Sequence, residues 1–311
     1  MYRIYIISIV FFCFSCSNEV NPKYEYLVKD ESFVKNFDLN SDSGFVKLID
    51  GFTFYNERNR TSESPTIILV HGFSVPSYIW DPTFEMLSNK GFHVISMDLY
   101  GRGFSENVDK PYTDELFANQ VINLLKNLNI KSAIFVGLSN GGRVISKVAD
   151  LRSDMVDSLI YVASSGFRLI NELDDKTVSD IEVAEFITNS YPTISKGQMD
   201  DFKYPENHLG WDDKYEELLK FKGFAKALLS TRKNHYSMDI IHEKIQNSDI
   251  PVYTIWGKSD KVVVFNDFEK RIDSIIPRRK DFFILESGHL PHMENPDQFN
   301  SILLSIIKEE L

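Results

Sequence analysis

The sequence predicts an α/β fold in which a mostly parallel sheet is covered by helices on both faces. Six short segments are almost wholly apolar, which is typical of strands buried on both sides. Amphipathic segments separate several of these strands, and this alternation is typical of parallel sheets. The predicted strands are residues 66–70, 92–97, 132–136, 158–163, 252–256 and 281–285, and the predicted helices include residues 82–89, 113–128, 143–151 and 298–308.

The elements at the start of the fold are predicted from turn and capping residues. Residues 45–49 and 52–55 are separated by Asp50-Gly51, a pair typical of hairpin turns, and therefore predict an antiparallel hairpin. The helix at residues 113–128 carries Asp114 in its first turn, where a negative charge interacts favourably with the helix dipole.

The alternation of strands and helices pauses between residues 166 and 248. This stretch of roughly 80 residues is rich in helix formers and aromatic residues, and it is too long for a loop inside a compact domain. We therefore expect residues 167–248 to form a helical cap. The cap divides the core into a first part at residues 44–166 and a second part at residues 249–311.

The N-terminus is typical of a bacterial signal peptide. Arg3 supplies a positive charge before an apolar run at residues 4–14, which is too short to span a bilayer as a helix. The run ends at Ser15-Cys16, which resembles a lipoprotein cleavage site. Cys13 stands where such sites usually carry Leu or another aliphatic residue.

These features predict a signal peptide at residues 1–15, lipidation of Cys16, and a tether and N-terminal arm at residues 16–43. A lipid anchor of two or more acyl chains would hold the protein stably to a membrane of the bacterial cell envelope. The alternative is an ordinary secretory signal, which would give a soluble secreted or periplasmic protein.

Composition excludes several kinds of partner. The formal net charge of −11 argues against binding to nucleic acid, since no basic stripe offsets it.

Both cysteines, Cys13 and Cys16, lie at the N-terminus, so the mature chain can form no intramolecular disulfide. The histidines are not clustered, and no spacing of Cys and His residues indicates a metal site. We expect no metal and no cofactor, and the sequence predicts no oligomeric state.

A candidate nucleophile lies between a predicted strand and a predicted helix. Gly137-Leu138-Ser139-Asn140-Gly141 follows the strand at residues 132–136. A serine on such a tight turn points its hydroxyl out of the backbone, and glycines on both sides avoid collisions. The helix that begins behind the serine favours developing negative charge nearby. The pattern therefore predicts Ser139 as a nucleophile.

A serine hydroxyl is a poor nucleophile near neutral pH and needs an adjacent base. Asp260 lies on the turn after the strand at residues 252–256, and His289 on the turn after the strand at residues 281–285. The carboxyl ends of parallel strands meet at one edge of a sheet, so we expect these residues to lie near Ser139. His289 would accept the serine proton, and Asp260 would fix the histidine tautomer and stabilise the imidazolium.

Other residues could fill the same roles. Glu172 and Asp174 are alternative acids, and His292 is an alternative base. His71 and Arg102 are expected to brace their loops rather than take part in proton transfer. The backbone N–H groups of Phe73 and Asn140 are the predicted donors to a tetrahedral oxyanion.

Together these motifs resemble the α/β-hydrolase superfamily across residues 66–311. The motifs are His71-Gly72-Phe73, Asp98-x-x-Gly101-x-Gly103-x-Ser105, Gly137-x-Ser139-x-Gly141-Gly142, Trp256-Gly257-x-x-Asp260 and Gly288-His289 followed by Glu294-Asn295-Pro296. The resemblance implies the α/β-hydrolase fold with a cap, and is strongest to capped serine esterases and monoacylglycerol-lipase-like enzymes. Asn140 departs from the pattern, because those enzymes commonly have Met or Gln after the serine.

The resemblance implies a serine hydrolase that cleaves carboxylic esters through an acyl-enzyme. Short or medium acyl esters, or monoacylglycerols, are the expected small-molecule substrates. Another triad chemistry is the alternative within enzymes: a C–C bond hydrolase, a lactonase or an aminopeptidase. A non-catalytic binding lipoprotein that keeps the fold is the alternative from another class.

Overall fold

A sheet of eight strands forms the centre of the computed structural model, which describes residues 23–60 and 65–309. The strands are β1 (Ser43–Lys47), β2 (Phe52–Arg58), β3 (Thr66–Val70), β4 (His93–Met97), β5 (Ala133–Leu138), β6 (Val156–Val162), β7 (Val252–Gly257) and β8 (Lys280–Ile284). Their order is β1-β2-β4-β3-β5-β6-β7-β8. β2 runs antiparallel to β1 and β4, and the other neighbouring pairs are parallel. The predicted α/β fold with a mostly parallel sheet is confirmed.

Helices cover both faces of this sheet. They are α1 (Glu31–Asn36), α2 (Asp81–Asn89), α3 (Asp114–Asn127), α4 (Asn140–Leu151), α5 (Asp180–Asn189), α6 (Tyr191–Gly197), α7 (Trp211–Glu216), α8 (Phe224–Lys233), α9 (Asp239–Gln246), α10 (Glu269–Ile275), α11 (Pro291–Glu294) and α12 (Pro296–Glu309). Apolar residues of α3, α4, α9 and α10 form one core with the sheet, and those of α2 and α12 contribute to a second.

The two cores explain why the central strands are almost wholly apolar. Successive strand residues point to opposite faces of a sheet. Ile68 of β3 accordingly belongs to the first core, whereas its neighbour Ile67 belongs to the second. All residues of β3, β4 and β5 are buried. A side chain at any of these positions therefore loses its contact with water on folding.

Capping side chains set the starts of helices. The Thr113 hydroxyl accepts a hydrogen bond from the backbone N–H of Leu116 at 3.0 Å, which begins α3 close to its predicted position. Ser179 and Glu182 form a reciprocal capping box at the start of α5.

The insertion after β6 is helical, as predicted, and α5 to α8 pack over the second core. Its large aromatic side chains are mostly buried there: Tyr191, Trp211, Tyr215 and Phe224. α9, which the sequence analysis grouped with the cap, contributes Ile241 and Ile245 to the first core beside α4. By packing, the helix that ends the insertion therefore belongs to the layer on the sheet.

The N-terminal arm, which we define as residues 23–42, is attached to the cap. Its backbone pairs with the segment before α8, where the Leu27 N–H donates to the Lys220 carbonyl at 2.8 Å. The Glu25 carboxylate accepts from the Tyr191 hydroxyl at 2.6 Å and from the Ala225 N–H at 2.7 Å. The buried Lys29 ammonium donates to the Gly103 carbonyl of the core at 3.0 Å. The arm thus connects the cap to the core.

The predicted signal peptide and Cys16 lie outside the described residues. Within residues 23–60 and 65–309, no helix has both the length and the apolar character needed to cross a bilayer.

Candidate active site

The backbone of Ser139 adopts a conformation that non-glycine residues rarely occupy, with φ of 50° and ψ of −112°. Hydrogen bonds hold it there on both sides. Its N–H donates to the Val162 carbonyl at 2.8 Å, and its carbonyl accepts from the N–H groups of Gly142 and Ser165, each at 3.1 Å. The turn between β5 and α4 therefore holds the serine on a fixed backbone at the carboxyl end of β5.

Glycines allow this turn because the surrounding backbone approaches closely. A Cβ at Gly137 would lie 2.6 Å from the Gly141 carbonyl oxygen, and a Cβ at Gly141 would lie 2.6 Å from that of His71. Real Cβ atoms do not come this close to backbone oxygens, so neither position accepts a side chain without a shift of the main chain. This confirms the steric reason for the Gly-x-Ser-x-Gly pattern.

Asp260 and His289 are joined by a buried hydrogen bond. The Asp260 Oδ2 atom lies 2.8 Å from His289 Nδ1, and the two side chains are 2% and 5% exposed. The other oxygen, Oδ1, accepts from the backbone N–H groups of Val262 and Val263 at 2.7 and 2.8 Å. These two donors fix the carboxylate, which in turn orients the imidazole ring.

The surroundings of His289 shift its pKa upward. Burial acts to lower the pKa of His289, but the hydrogen bond and the charge of Asp260 outweigh it, and the charge of Asp201 adds to the increase. With Nδ1 facing a carboxylate, the neutral ring carries its proton on Nδ1 and leaves Nε2 free to accept one.

Ser139 and His289 line the same cavity, of about 180 Å³, at the carboxyl edge of the sheet. Phe73 also contributes to its wall. A larger groove of about 460 Å³ borders this cavity and shares Phe73, Ser74 and Gln198 with it. Apolar side chains of the cap, among them Phe186 and Leu228, line the groove. The structure therefore places the predicted nucleophile and base together beneath the cap.

The two predicted oxyanion donors belong to peptide groups whose carbonyls are held by hydrogen bonds. The Gly72 carbonyl accepts from His71 Nδ1 at 2.9 Å, and the N–H of the same trans peptide is that of Phe73. The Ser139 carbonyl belongs to the peptide that carries the Asn140 N–H. Within the described part of the chain, neither N–H has a hydrogen-bond partner. Both are therefore available to a ligand.

His71 and Arg102 brace the Phe73 loop, as the sequence analysis predicts. The N–H of Leu99 donates to His71 Nε2 at 2.9 Å, which fixes the tautomer of the ring. Burial lowers the pKa of His71 to about 3. Arg102 Nε donates to the Phe73 carbonyl at 2.9 Å and Nη2 to the Thr231 hydroxyl at 2.8 Å. The loop is thus tied both to the core and to the cap helix α8.

The alternative acids and base lie elsewhere. His292 Nε2 bonds to the Ile79 carbonyl at 2.9 Å, and its ring packs on Trp80 with a centroid distance of 4.4 Å. Glu172 and Asp174 are exposed, and Glu172 pairs with Lys176 at 3.6 Å. Since Asp260 already contacts His289, the geometry favours Asp260 and His289 over these alternatives.

The sequence analysis missed two residues near the site, Asp201 and His235, and gave no role to a third, Glu294. Asp201 lines the cavity with Ser139 and His289, and burial raises the pKa of its carboxyl to about 6. His235 Nε2 lies 2.8 Å from the Asn140 side-chain oxygen. Glu294 accepts from the backbone N–H of Gly288 at 2.7 Å and from that of Lys203 at the same distance. Only Glu294 had a sequence signal, because it belongs to the motif after His289.

Among the described residues, no group of three or more His, Cys, Asp and Glu side chains is arranged to hold a metal ion. The polar side chains that line the cavity are the Ser74 and Ser139 hydroxyls, the Gln198 amide, the Asp201 carboxyl and the His289 imidazole.

Comparisons with known proteins show the family and the fold of the chain. The model of the alpha/beta hydrolase family matches residues 67–302. An uncharacterised hydrolase of Bacillus subtilis is 24% identical and covers 84% of this chain and 96% of its own length. A monoacylglycerol lipase of Xenopus laevis is 25% identical over 78% of this chain and 75% of its own. A thermophilic esterase of Thermogutta terrifontis superposes with a TM-score of 0.72 at 19% identity, covering 87% and 99% of the two chains.

Proposed function

The chain belongs to the alpha/beta hydrolase family and is a hydrolase, and we propose that it cleaves carboxylic esters through Ser139, His289 and Asp260. The observation that carries the proposal is the buried Asp260–His289 hydrogen bond at 2.8 Å, with His289 and Ser139 lining one cavity. Similarity to an esterase and to a monoacylglycerol lipase supports the ester substrate.

In the first half-reaction, His289 Nε2 accepts the Ser139 proton while the serine oxygen forms a bond to the ester carbonyl carbon. The carbonyl oxygen becomes an oxyanion, which the N–H groups of Phe73 and Asn140 stabilise. The intermediate then collapses, the bond to the alkoxy oxygen breaks, and the imidazolium returns the proton to the departing alcohol. Water attacks the acyl-serine by the reverse sequence and releases the carboxylic acid.

Short or medium acyl esters, or monoacylglycerols, are the substrates we propose. The cavity beside Ser139 is small, and the bordering groove of about 460 Å³ offers apolar wall from Phe186, Ile194 and Leu228. An acyl chain placed in this groove would be removed from water, at about 0.8 kcal/mol per buried CH₂. The shared wall at Phe73 and Ser74 would allow the ester carbonyl to lie at the serine.

Labelling with a fluorophosphonate tests the proposed nucleophile. We expect the wild-type protein to take up one phosphonate at Ser139, located by peptide mass, and the Ser139→Ala variant to take up none. Ser153→Ala, which removes an exposed hydroxyl beyond the other end of α4, serves as the matched control. Labelling at another serine, or equal labelling of Ser139→Ala, would reject the proposal.

A series of p-nitrophenyl esters of increasing chain length then separates esterase activity from other triad chemistries.

The rate is expected to depend on pH through His289. Its pKa lies above the ordinary value of 6.5 because Asp260 and Asp201 stabilise the imidazolium. The ring accepts the serine proton only when neutral, so kcat/KM for an uncharged ester should rise with pH, with a midpoint above about 6.5. A profile that is flat between about pH 5 and 8 would contradict a histidine base.

We also propose that Cys16 carries a lipid anchor that holds the protein to a membrane of the cell envelope. The seven residue-to-residue steps from Cys16 to Lys23 can span at most about 25 Å, and the arm is bonded to the cap from Glu25 onward. An anchor at Cys16 would therefore hold the cap, and the groove beneath it, close to the membrane surface.

Fractionation of cells tests the anchor. Cys16→Ala is expected to move the protein from the membrane pellet to the soluble fraction, because no acyl chain can be attached. Cys13→Leu removes the other cysteine and supplies the aliphatic residue usual at that position, so it should remain in the pellet. Membrane association of Cys16→Ala equal to that of the wild type would exclude the anchor.

A further inference from the structure

The Asp201 carboxyl lies in the candidate active site without a hydrogen-bond donor to its oxygens among the residues that the structure describes. It lines the cavity with Ser139 and His289, and no Lys or Arg side chain lines that cavity. Within the described residues, no hydrogen bond or ion pair reaches either of its side-chain oxygens. An acceptor-only group in such a place can be satisfied by a ligand that brings a donor or a positive charge.

Asp201 cannot move away from the catalytic histidine without breaking a network of backbone contacts. Its carbonyl accepts the N–H of His289 at 2.8 Å. Two residues further along the cap, the Lys203 N–H donates to Glu294, whose carboxylate also accepts from Gly288 beside the histidine. Lys203 Nζ adds an ion pair to Glu286 at 2.6 Å. The cap segment that carries Asp201 is therefore attached to the histidine loop, and the carboxyl keeps its place in the cavity.

The carboxyl is ionised near neutral pH even though burial raises its pKa to about 6. Its charge acts from a partly buried position, where Coulomb interactions are several times stronger than in bulk water. A positive group on a substrate would be attracted, and a negative group repelled.

We propose that Asp201 is a specificity-determining residue that selects esters carrying an ammonium group near the scissile carbonyl over uncharged or anionic ones. The inference rests on the proposed ester hydrolase function and names a substrate class for the same site. A hydroxyl could also donate to the carboxylate, but only a cation would compensate its charge as well.

The test compares substrates that differ only in charge. Butyrylcholine and 3,3-dimethylbutyl butyrate have the same shape and place the charge on the alcohol. The p-nitrophenyl esters of 5-(trimethylammonio)pentanoate and 6,6-dimethylheptanoate place it on the acyl group. We expect the wild-type enzyme to prefer the cationic member of at least one pair by about tenfold or more in kcat/KM. Asp201→Asn should bring that ratio to near one.

Asp200→Asn provides the matched control, because it removes the same charge from an exposed neighbour in the same segment. Its ratio should remain that of the wild type. The inference is overturned if the wild type shows no preference in either pair, if Asp201→Asn keeps the preference, or if Asp200→Asn loses it equally. Ester hydrolysis and labelling at Ser139 without any charge preference would reject this inference and leave the proposed function intact. Loss of both ester hydrolysis and labelling at Ser139 would reject the proposed function itself.

Discussion

Replacing Asp260 by Asn is expected to lower kcat/KM for an uncharged ester by about 10,000-fold while leaving the protein folded. The reason lies in the two oxygens of the carboxylate. Oδ1 accepts from the N–H groups of Val262 and Val263, and the asparagine oxygen must take this position to keep them satisfied. The asparagine NH₂ group then faces His289 Nδ1.

This NH₂ group can only donate, so His289 Nδ1 would have to accept, and the ring proton would move to Nε2. A protonated Nε2 cannot accept the proton of Ser139, so the nucleophile loses its base. The variant also loses the negative charge that stabilises the imidazolium in the transition state. The Asp260→Asn variant therefore keeps the geometry of the site, but it has the wrong tautomer of His289 and lacks the negative charge of the carboxylate.

The measurement is kcat/KM on the high-pH plateau of the wild-type profile, where His289 is neutral, together with thermal unfolding to show that the variant folds. Asp267→Asn is the matched control, since Asp267 is exposed in the same connection after β7. A loss of less than about tenfold in the folded Asp260→Asn variant would exclude Asp260 as the partner that His289 requires.

The sheet could be predicted from the sequence because its signals are local. Each central strand is a short apolar run, because its side chains pack into the cores on both faces of the sheet. Ile67 and Ile68 illustrate this, since they belong to different cores. β5 extends to Leu138, two residues beyond its predicted end, because the strand continues through Gly137, where the apolar run stops. The glycine is required there by the close approach of Gly141 across the turn between β5 and α4.

The candidate triad could be predicted because each side chain follows its own strand, and parallel strands end at a common edge. The position of the strand ends does not indicate which residues of the cap lie over that edge of the sheet. Asp201 and His235 reach the site only because the cap folds back over it, where they meet His289 and Asn140. No periodicity or motif marks either residue in the sequence.

Breaking the buried ion pair between Arg143 and Asp114 is expected to destabilise the protein by about 3–5 kcal/mol. The pair joins α4 to the first turn of α3 with bonds of 2.7 and 3.1 Å, and both side chains are 1% exposed. Arg143 Nη2 also donates to the Tyr236 carbonyl at 2.8 Å, where the chain returns from the cap. Asp114→Asn removes the negative charge and leaves the guanidinium buried without compensation.

The free energy of unfolding of each variant, measured by urea denaturation, checks this expectation. The double variant Arg143→Met with Asp114→Leu removes both charges and fills similar volume, so it should be more stable than Asp114→Asn alone. Asp154→Asn, in the exposed Arg152–Asp154 pair, should leave the free energy of unfolding unchanged, because solvent screens that pair. A change of less than about 1 kcal/mol in Asp114→Asn would show that the buried guanidinium does not depend on its carboxylate. The contrast between the two aspartates isolates burial as the cause, since the partner of each is an arginine.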